Sequence, residues 1–369
     1  MKIGVLTSSR ADYGIYFPLL EKLKVDKRIE LEIIVFGMHL QADQGNTVNE
    51  IKADGYDVLL KVGAMPEKDS VPDISLGYGD LVVNFAKFWS EKKFDIVFAL
   101  GDRWEMSAAV QASIPFELKI AHIHGGETTL GAIDNIYRHQ ITLASTYHFT
   151  AADVFSERVI SILGSNKNVH TVGSISLEDI DKIQLPSWDF VKDRFDIPFD
   201  NFILVTFHPE SVGTSNNKIY AEIVFDTLKT LTKKNNILVT MANSDAMGSL
   251  FNDGFQRLQE ECPRKFKLVS ALGKHNYFAA MKQSSFMLGN TSSGILEAAS
   301  FRKWVINVGD RQKGRLRNDN VLDVSFESIE ILEMVNQVAI LKPYLGGNKY
   351  IKPGTTNKIV EIISDYEAL

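Results

Sequence analysis

Among 369 residues there is one cysteine, Cys262. A lone thiol closes no intramolecular disulfide, builds no thiolate zinc cluster and forms no redox pair, so it is read as an inert packing residue. Long apolar runs are missing too. None approaches the roughly 20 residues that cross a bilayer. The opening MKIGVLTSS enters a short apolar strand with no secretory segment before it. A cytoplasmic protein without a membrane partner is expected. Basic excess is also absent: 40 Lys and Arg against 46 Asp and Glu leave a formal net charge of −6, the wrong sign for a nucleic-acid track. What is present is a globular composition, 45% hydrophobic and 23% charged, on a chain too long for one ordinary core.

Short β-branched runs alternate with longer helical patterns, the pattern of parallel sheets covered by helices. In the first half, strands are expected over 3–7, 31–37, 95–100, 119–123 and 147–150, with helices over 15–24, 74–92, 104–114 and 135–144. Around 174–198 the rhythm weakens, and Pro186, Trp188 and Pro198 mark a domain connection. It restarts with strands over 201–207, 236–241, 266–269, 286–289 and 304–307. The expected fold class is α/β, two Rossmann-like doubly wound domains facing each other across a cleft. Residues 1–175 form the first domain, 176–350 the second, and 351–369 a helix returning to the first, with Ile359, Ile362 and Ile363 at helical spacing. Open parallel sheets bind ligands beyond the carboxyl ends of their strands, so motifs just after strands are the ones to examine.

Six such motifs stand out. Thr7 to Gly14 is a small-residue loop opening a helix, where Arg10 can hold a phosphate or simply cap a turn; it is not a dinucleotide fingerprint. Gly101-Asp102-Arg103 and His122-Ile123-His124-Gly125-Gly126-Glu127 crowd ionisable groups at neighbouring strand ends, followed by Asp134, Arg138 and His139 on a helix. Asp134 and Arg138 are spaced as an i, i+4 pair, which is otherwise a plain surface ion pair. His208-Pro209 ends a strand of the second half. Gly289-Asn290-Thr291-Ser292-Ser293-Gly294 opens a helix with hydroxyls and free N–H groups able to cradle a diphosphate, or merely to cap it, and Glu297 follows one turn on. Gly309 to Arg315 gathers three cations in an otherwise acidic protein. His122-x-His124 with Glu127 has zinc-type ligands, but Gly125-Gly126 interrupts the regular strand that would align them. No metal and no cofactor are expected.

Together with Ser9 to Tyr13 and Gly37-Met38-His39-Leu40, these motifs resemble, in order from residue 2 to about 325, the UDP-N-acetylglucosamine 2-epimerases. The likeness is strongest to the hydrolysing branch that makes sialic-acid-type precursors. The resemblance implies a GT-B-like fold closing on a UDP-sugar, loss of the C2 proton with expulsion of UDP, and hydration of the glycal to N-acetylmannosamine. It implies that Arg10, Ala11, Arg103, His208, Asn243, Thr291, Ser292, Ser293, Glu297 and Arg311 hold UDP, with Leu272 near the uracil. Asp102, Glu127 and Asp134 match carboxylates of the chemistry, with His39, Arg138, His139 and His208 close by. His124 departs from relatives that carry Glu there, and is itself suited to shuttle a proton. Partners implied are the UDP-sugar, the UDP product and a second copy in a homodimer. Open alternatives are the same reaction on UDP-2,4-diacetamido-2,4,6-trideoxyglucose, a non-hydrolysing epimerase, a GT-B glycosyltransferase and a silent nucleotide-sugar sensor.

Overall fold

The protein is described by a computed structural model over residues 1–40, 47–62, 71–128, 133–210, 214–241 and 248–364. It divides into two compact units. One comprises Met1–Thr128, Ile133–Glu178 and the tail from Tyr350; the other comprises Asp179–Lys349.

The first unit is built on a seven-stranded sheet of β1 (Lys2–Thr7), β2 (Glu30–Phe36), β3 (Val58–Val62), β4 (Ile96–Leu100), β5 (Ile120–Ile123), β6 (Tyr147–Thr150) and β7 (Val169–Thr171), in the order β3-β2-β1-β4-β5-β6-β7. Every pairing is parallel. Such strands are covered on both faces, which is why β4, β5 and β6 are buried at every residue. One face packs Ile3, Val5 and Ile33 against Leu19, Leu20 and Leu23 of α1 (Arg10–Val25); the other packs Leu6, Ile34 and Phe36 against Phe85 and Trp89 of α3 (Val71–Glu91) and Met106 of α4 (Trp104–Ser113). Helices α2 (Val48–Ala53), α5 (Asp134–Ala144) and α6 (Asp153–Leu163) complete the crossovers.

In the second unit the sheet runs β10-β9-β8-β11-β12-β13, also parallel throughout. Its strands are β8 (Ile203–Thr206), β9 (Ile237–Thr240), β10 (Phe266–Val269), β11 (Met287–Gly289), β12 (Val305–Val308) and β13 (Val321–Val324). Around them lie α7 (Trp188–Phe195), α8 (Asn217–Leu231), α9 (Gly248–Glu261), α10 (Lys274–Gln283), α11 (Ser292–Leu296) and α12 (Ser328–Val338). The chain then returns to the first unit as α13 (Thr355–Ser364).

Several elements differ from the sequence expectation. Helix α1 starts five residues early because Ser9 caps it, accepting the Asp12 amide, whereas the apolar periodicity begins only at Ile15. Strands β3, β7 and β13 are edge or near-edge strands of three to five residues; β7 and β13 include polar residues and lack the apolar run that betrays central strands. The expected connection around Trp188 is an ordered helix, capped by Ser187 and anchored by Trp188 stacking on Phe202 at 4.9 Å. The helix that Gly289 to Gly294 is expected to open is only the short α11, followed by a 3-10 turn over Ala298–Phe301.

Candidate active site

Strand order reverses beside β1 in the first sheet, with β4 on its other side, and open α/β sheets take their ligands beyond the carboxyl ends of such strands. After β1, Asp12 folds back to accept the Ser8 amide and hydroxyl at 3.0 and 2.7 Å. Arg10 and Ala11 are exposed on the first turn of α1, the Arg10 Nε standing 3.3 Å from Glu50. His39 is fully buried. Its Nε2 meets Thr7 Oγ1 at 2.9 Å and its Nδ1 meets Thr47 Oγ1 at 2.6 Å. Burial lowers its pKa, so a neutral ring braces this loop.

After β4 the chain turns at Gly101, with φ of +74°, into Asp102 and Arg103, the residue that precedes α4. Arg103 donates to the buried Glu105 carboxylate at 2.5 Å and contacts Met38 Sδ at 3.3 Å. Asp102 accepts from the Arg138 guanidinium, which reaches over from α5 and also donates to the His124 carbonyl at 2.5 Å. Arg138 is thus committed to Asp102, not to Asp134 as the i, i+4 spacing suggested. Burial raises the Asp134 pKa, and the nearby Asp102 charge adds to the effect.

His122 corrects the sequence expectation. It does not open toward a ligand but is wholly buried, its Nε2 on the Gly101 carbonyl at 2.9 Å and its Nδ1 on Thr142 Oγ1 at 3.1 Å. A carbonyl only accepts, so Nε2 carries the proton and Nδ1 receives the hydroxyl; burial pushes the pKa down to about 3. With both nitrogens used, His122 cannot pair with His124 on a metal. His124 itself follows the strand with φ of +64°, and its Nδ1 lies 2.5 Å from Glu127 Oε1. Arg158 of α6 holds this turn, donating to the Gly126 carbonyl at 2.5 Å and to the Thr128 hydroxyl. His139 is half-buried, with a pKa lowered by desolvation and then by the Arg138 and Arg158 charges.

In the second unit the reversal falls between β8 and β11. Asn290, fully buried, ties their ends together: its side chain accepts the His208 amide at 2.7 Å and donates to the His208 carbonyl at 2.8 Å. Its own carbonyl receives Gln312 at 2.9 Å and Arg311 at 3.3 Å. The Asp310 and Arg311 amides close on Glu210 at 3.0 and 3.1 Å. His208, Asn290 and Arg311 are therefore one connected group. Thr291 precedes α11, with Ser293 Oγ 3.3 Å from its hydroxyl and 2.7 Å from Tyr277 OH. Glu297 is next: desolvation pushes its pKa up to about 7 against the pull of Lys274 and Arg315. Leu272 is buried, its carbonyl held by Asn276 at 2.8 Å. Asn243 lies outside the described residues. Lys274, Tyr277 and Arg158 were missed from sequence; only Lys274, in the first turn after the β10 loop, sits where the strand-end rule could have found it.

The family model described as UDP-N-acetylglucosamine 2-epimerase matches residues 21–364. A Legionella pneumophila protein named UDP-N,N'-diacetylbacillosamine 2-epimerase (hydrolyzing) is 33% identical over 358 residues, 97% of this chain and 93% of its own. The polysialic acid biosynthesis protein P7 of Escherichia coli is 29% identical over 369 residues, covering 99% of this chain and 94% of its own. The crystal structure of UDP-GlcNAc 2-epimerase from Neisseria meningitidis, bound to UDP-GlcNAc, superposes with a TM-score of 0.80 at 16% identity, covering 99% of this chain and 100% of that one. That likeness establishes the α/β, GT-B-like fold class. By the family match over nearly its whole length, the chain belongs to the UDP-N-acetylglucosamine 2-epimerase family.

Proposed function

We propose that the protein is a hydrolysing 2-epimerase that converts UDP-N-acetylglucosamine and water to N-acetylmannosamine and UDP. The observation that carries the proposal is the group at the carboxyl ends of β4 and β5: Asp102 bridged to Arg138, His124 bridged to Glu127, and Asp134 with a raised pKa beside them. A sugar carbon bearing an acetamido group gives up its proton only to a base held at hydrogen-bond range while the leaving group is stabilised. One of these groups takes the C2 proton, the C2–H electrons form the C1=C2 bond, and the C1–O bond breaks with its electrons leaving on UDP. Water then adds its oxygen to C1, and a proton is delivered to C2 from the opposite face.

The second unit supplies most of the nucleotide-holding groups in this reading. Arg311 and the hydroxyls of Thr291, Ser292 and Ser293 meet the diphosphate, Glu297 accepts the ribose hydroxyls, Leu272 lies by the uracil, and Arg10, Ala11, Arg103, His208 and Asn243 complete the set. Support for water as final acceptor comes from the Legionella relative, whose name includes hydrolysis. The same name favours a second reading of the substrate, UDP-2,4-diacetamido-2,4,6-trideoxyglucose.

Proton NMR of the reaction in heavy water tests both. Free N-acetylmannosamine, with deuterium at C2 and one UDP per sugar, is the expected product. Turnover of the diacetamido sugar alone would move the assignment to the second reading. UDP-linked N-acetylmannosamine without UDP release would reject hydrolysis, and sugar transfer that requires an acceptor would reject epimerisation.

A further inference from the structure

Within the epimerase reading, on which this inference rests, one imidazole is set apart from the others that end strands of the first unit. His124 is 13% exposed at its side chain, and its Nδ1 is held at 2.5 Å by Glu127, itself 14% exposed. Its Nε2 is buried and has no hydrogen-bond partner among the described residues. The other imidazoles at these strand ends, His39 and His122, have both nitrogens occupied. A buried polar nitrogen without a partner is costly, and native proteins retain one chiefly where something else is to fill it.

The backbone explains how the pair is fixed. The turn from His124 to Glu127 takes φ of +64° at His124 and +76° at Gly126, where a Cβ would stand 2.2 Å from the Phe155 carbonyl oxygen. The chain therefore reverses within three residues and brings Glu127 back to the Nδ1 edge of the ring. The His124 amide donates to the Phe149 carbonyl at 3.0 Å, and the His124 carbonyl receives Arg138. Main chain and Nδ1 are both clamped, so only Nε2 is left to act. A carboxylate accepts but does not donate, so Nδ1 carries the hydrogen toward Glu127 and Nε2 presents its lone pair.

We propose that His124 is the proton carrier of the first unit, exchanging the sugar's C2 proton through Nε2, and that Glu127 is a positioning residue that fixes its tautomer and orientation. In the forward step the C2 proton passes to Nε2 as the C1=C2 bond forms and UDP leaves; the imidazolium then keeps its Nδ1–H on Glu127. The proton delivered later to the opposite face of C2 comes from a different group, so His124 returns its proton to water before the next turnover.

The test uses His124→Gly in the full-length protein, since glycine accepts φ of +64° without strain and leaves a hole the shape of an imidazole. Expected are a fall in kcat of roughly 100-fold or more, with UDP affinity within a few-fold of wild type, and recovery of at least about 10-fold on adding free imidazole. Glu127→Gln should lower kcat by roughly 10-fold or more at unchanged UDP affinity, and imidazole should not rescue it. A merely structural His124 would show no imidazole rescue, and that result overturns the proposal, as does a kcat for His124→Gly within a few-fold of wild type. Should His124→Gly fail to bind UDP, His124→Asn, which also tolerates this backbone angle, takes its place, and near-normal turnover there overturns the assignment. Wild-type turnover of the same UDP-sugar is the control: an active wild type beside an active variant rejects only the dyad, whereas a wild type inert toward every UDP-sugar removes the functional reading along with it.

Discussion

Glu297 is the residue whose cost to the fold is plainest. Its Oε2 is buried without a hydrogen-bond partner among the described residues, and desolvation pushes its pKa from 4.5 to about 7. A group whose folded pKa is raised favours the folded state below its unfolded pKa, and that advantage is lost as pH rises through the folded value. Between pH 4.5 and 7 the folded protein holds a proton that the unfolded chain has released, so stability falls across that window. The full shift is worth about 3 kcal/mol at 1.36 kcal/mol per pH unit. Such a burden is tolerated where the charge serves binding, here proposed to be ribose recognition. Glu297→Gln should therefore melt higher than wild type at pH 8, converge with it near pH 5, and lose roughly 10-fold or more in UDP affinity as a charge-assisted hydrogen bond is removed. Thermal melts of both proteins at the two pH values, with calorimetric titration of UDP, decide it. Parallel pH dependence in the two proteins would place the cost on another group.

At the scale of elements, the proposed chemistry depends on turns that close directly after strands. Arg158 reaches from α6 to the carbonyl of Gly126 and the hydroxyl of Thr128, and so pins the His124–Glu127 turn from outside. Arg158→Ala should lower kcat by roughly 10-fold or more through misplacement of the dyad, with UDP affinity unchanged. Steady-state kinetics beside UDP titration would show this split, and an equal loss in both would mean that Arg158 supports the fold generally. These turns were legible in the sequence because they are local: Gly101-Asp102, His124 to Glu127 and Gly289 to Ser293 each put small and polar residues at the end of an apolar strand. Arg158 and Tyr277 were not, because they enter from within helices and only tertiary packing shows where they land. His122 was misread for a related reason. In a parallel sheet buried on both faces, alternation no longer distinguishes the covered side from the open one, so His122 and His124 looked equivalent. The central strands and the doubly wound order were readable from apolar runs; β7 and β13, short and partly polar, were not.

At the scale of the molecule, the chain leaves its first unit at Glu178, completes the second, and returns at Tyr350 to finish the first. The return is held firmly. Tyr350 is 1% exposed, with its ring near Phe155, and its carbonyl receives the Ser174 amide at 2.8 Å. Thr355 donates its hydroxyl to the Val172 carbonyl at 2.8 Å, and the Thr356 amide meets Glu178 at 3.0 Å. Ile359 and Ile363, both fully buried, lie in the same apolar cluster as Leu19, Leu20 and Leu23 of α1. Truncating a buried isoleucine to alanine costs about 2–5 kcal/mol, and two on one helix face can couple, so the pair need not sum. Since α13 packs on α1 and belongs to the first unit, the loss should fall there. In the Ile359→Ala, Ile363→Ala double variant, amide exchange should quicken across β1, β2 and β4 to β6 while β8 to β12 keep their protection. Turnover should fail at a lower temperature than in wild type. UDP binding, assigned mainly to the second unit, should outlast it on heating. Simultaneous loss of protection in both sheets would show instead that the two units unfold as one, and the division of labour between nucleotide grip and proton transfer would then have no counterpart in stability.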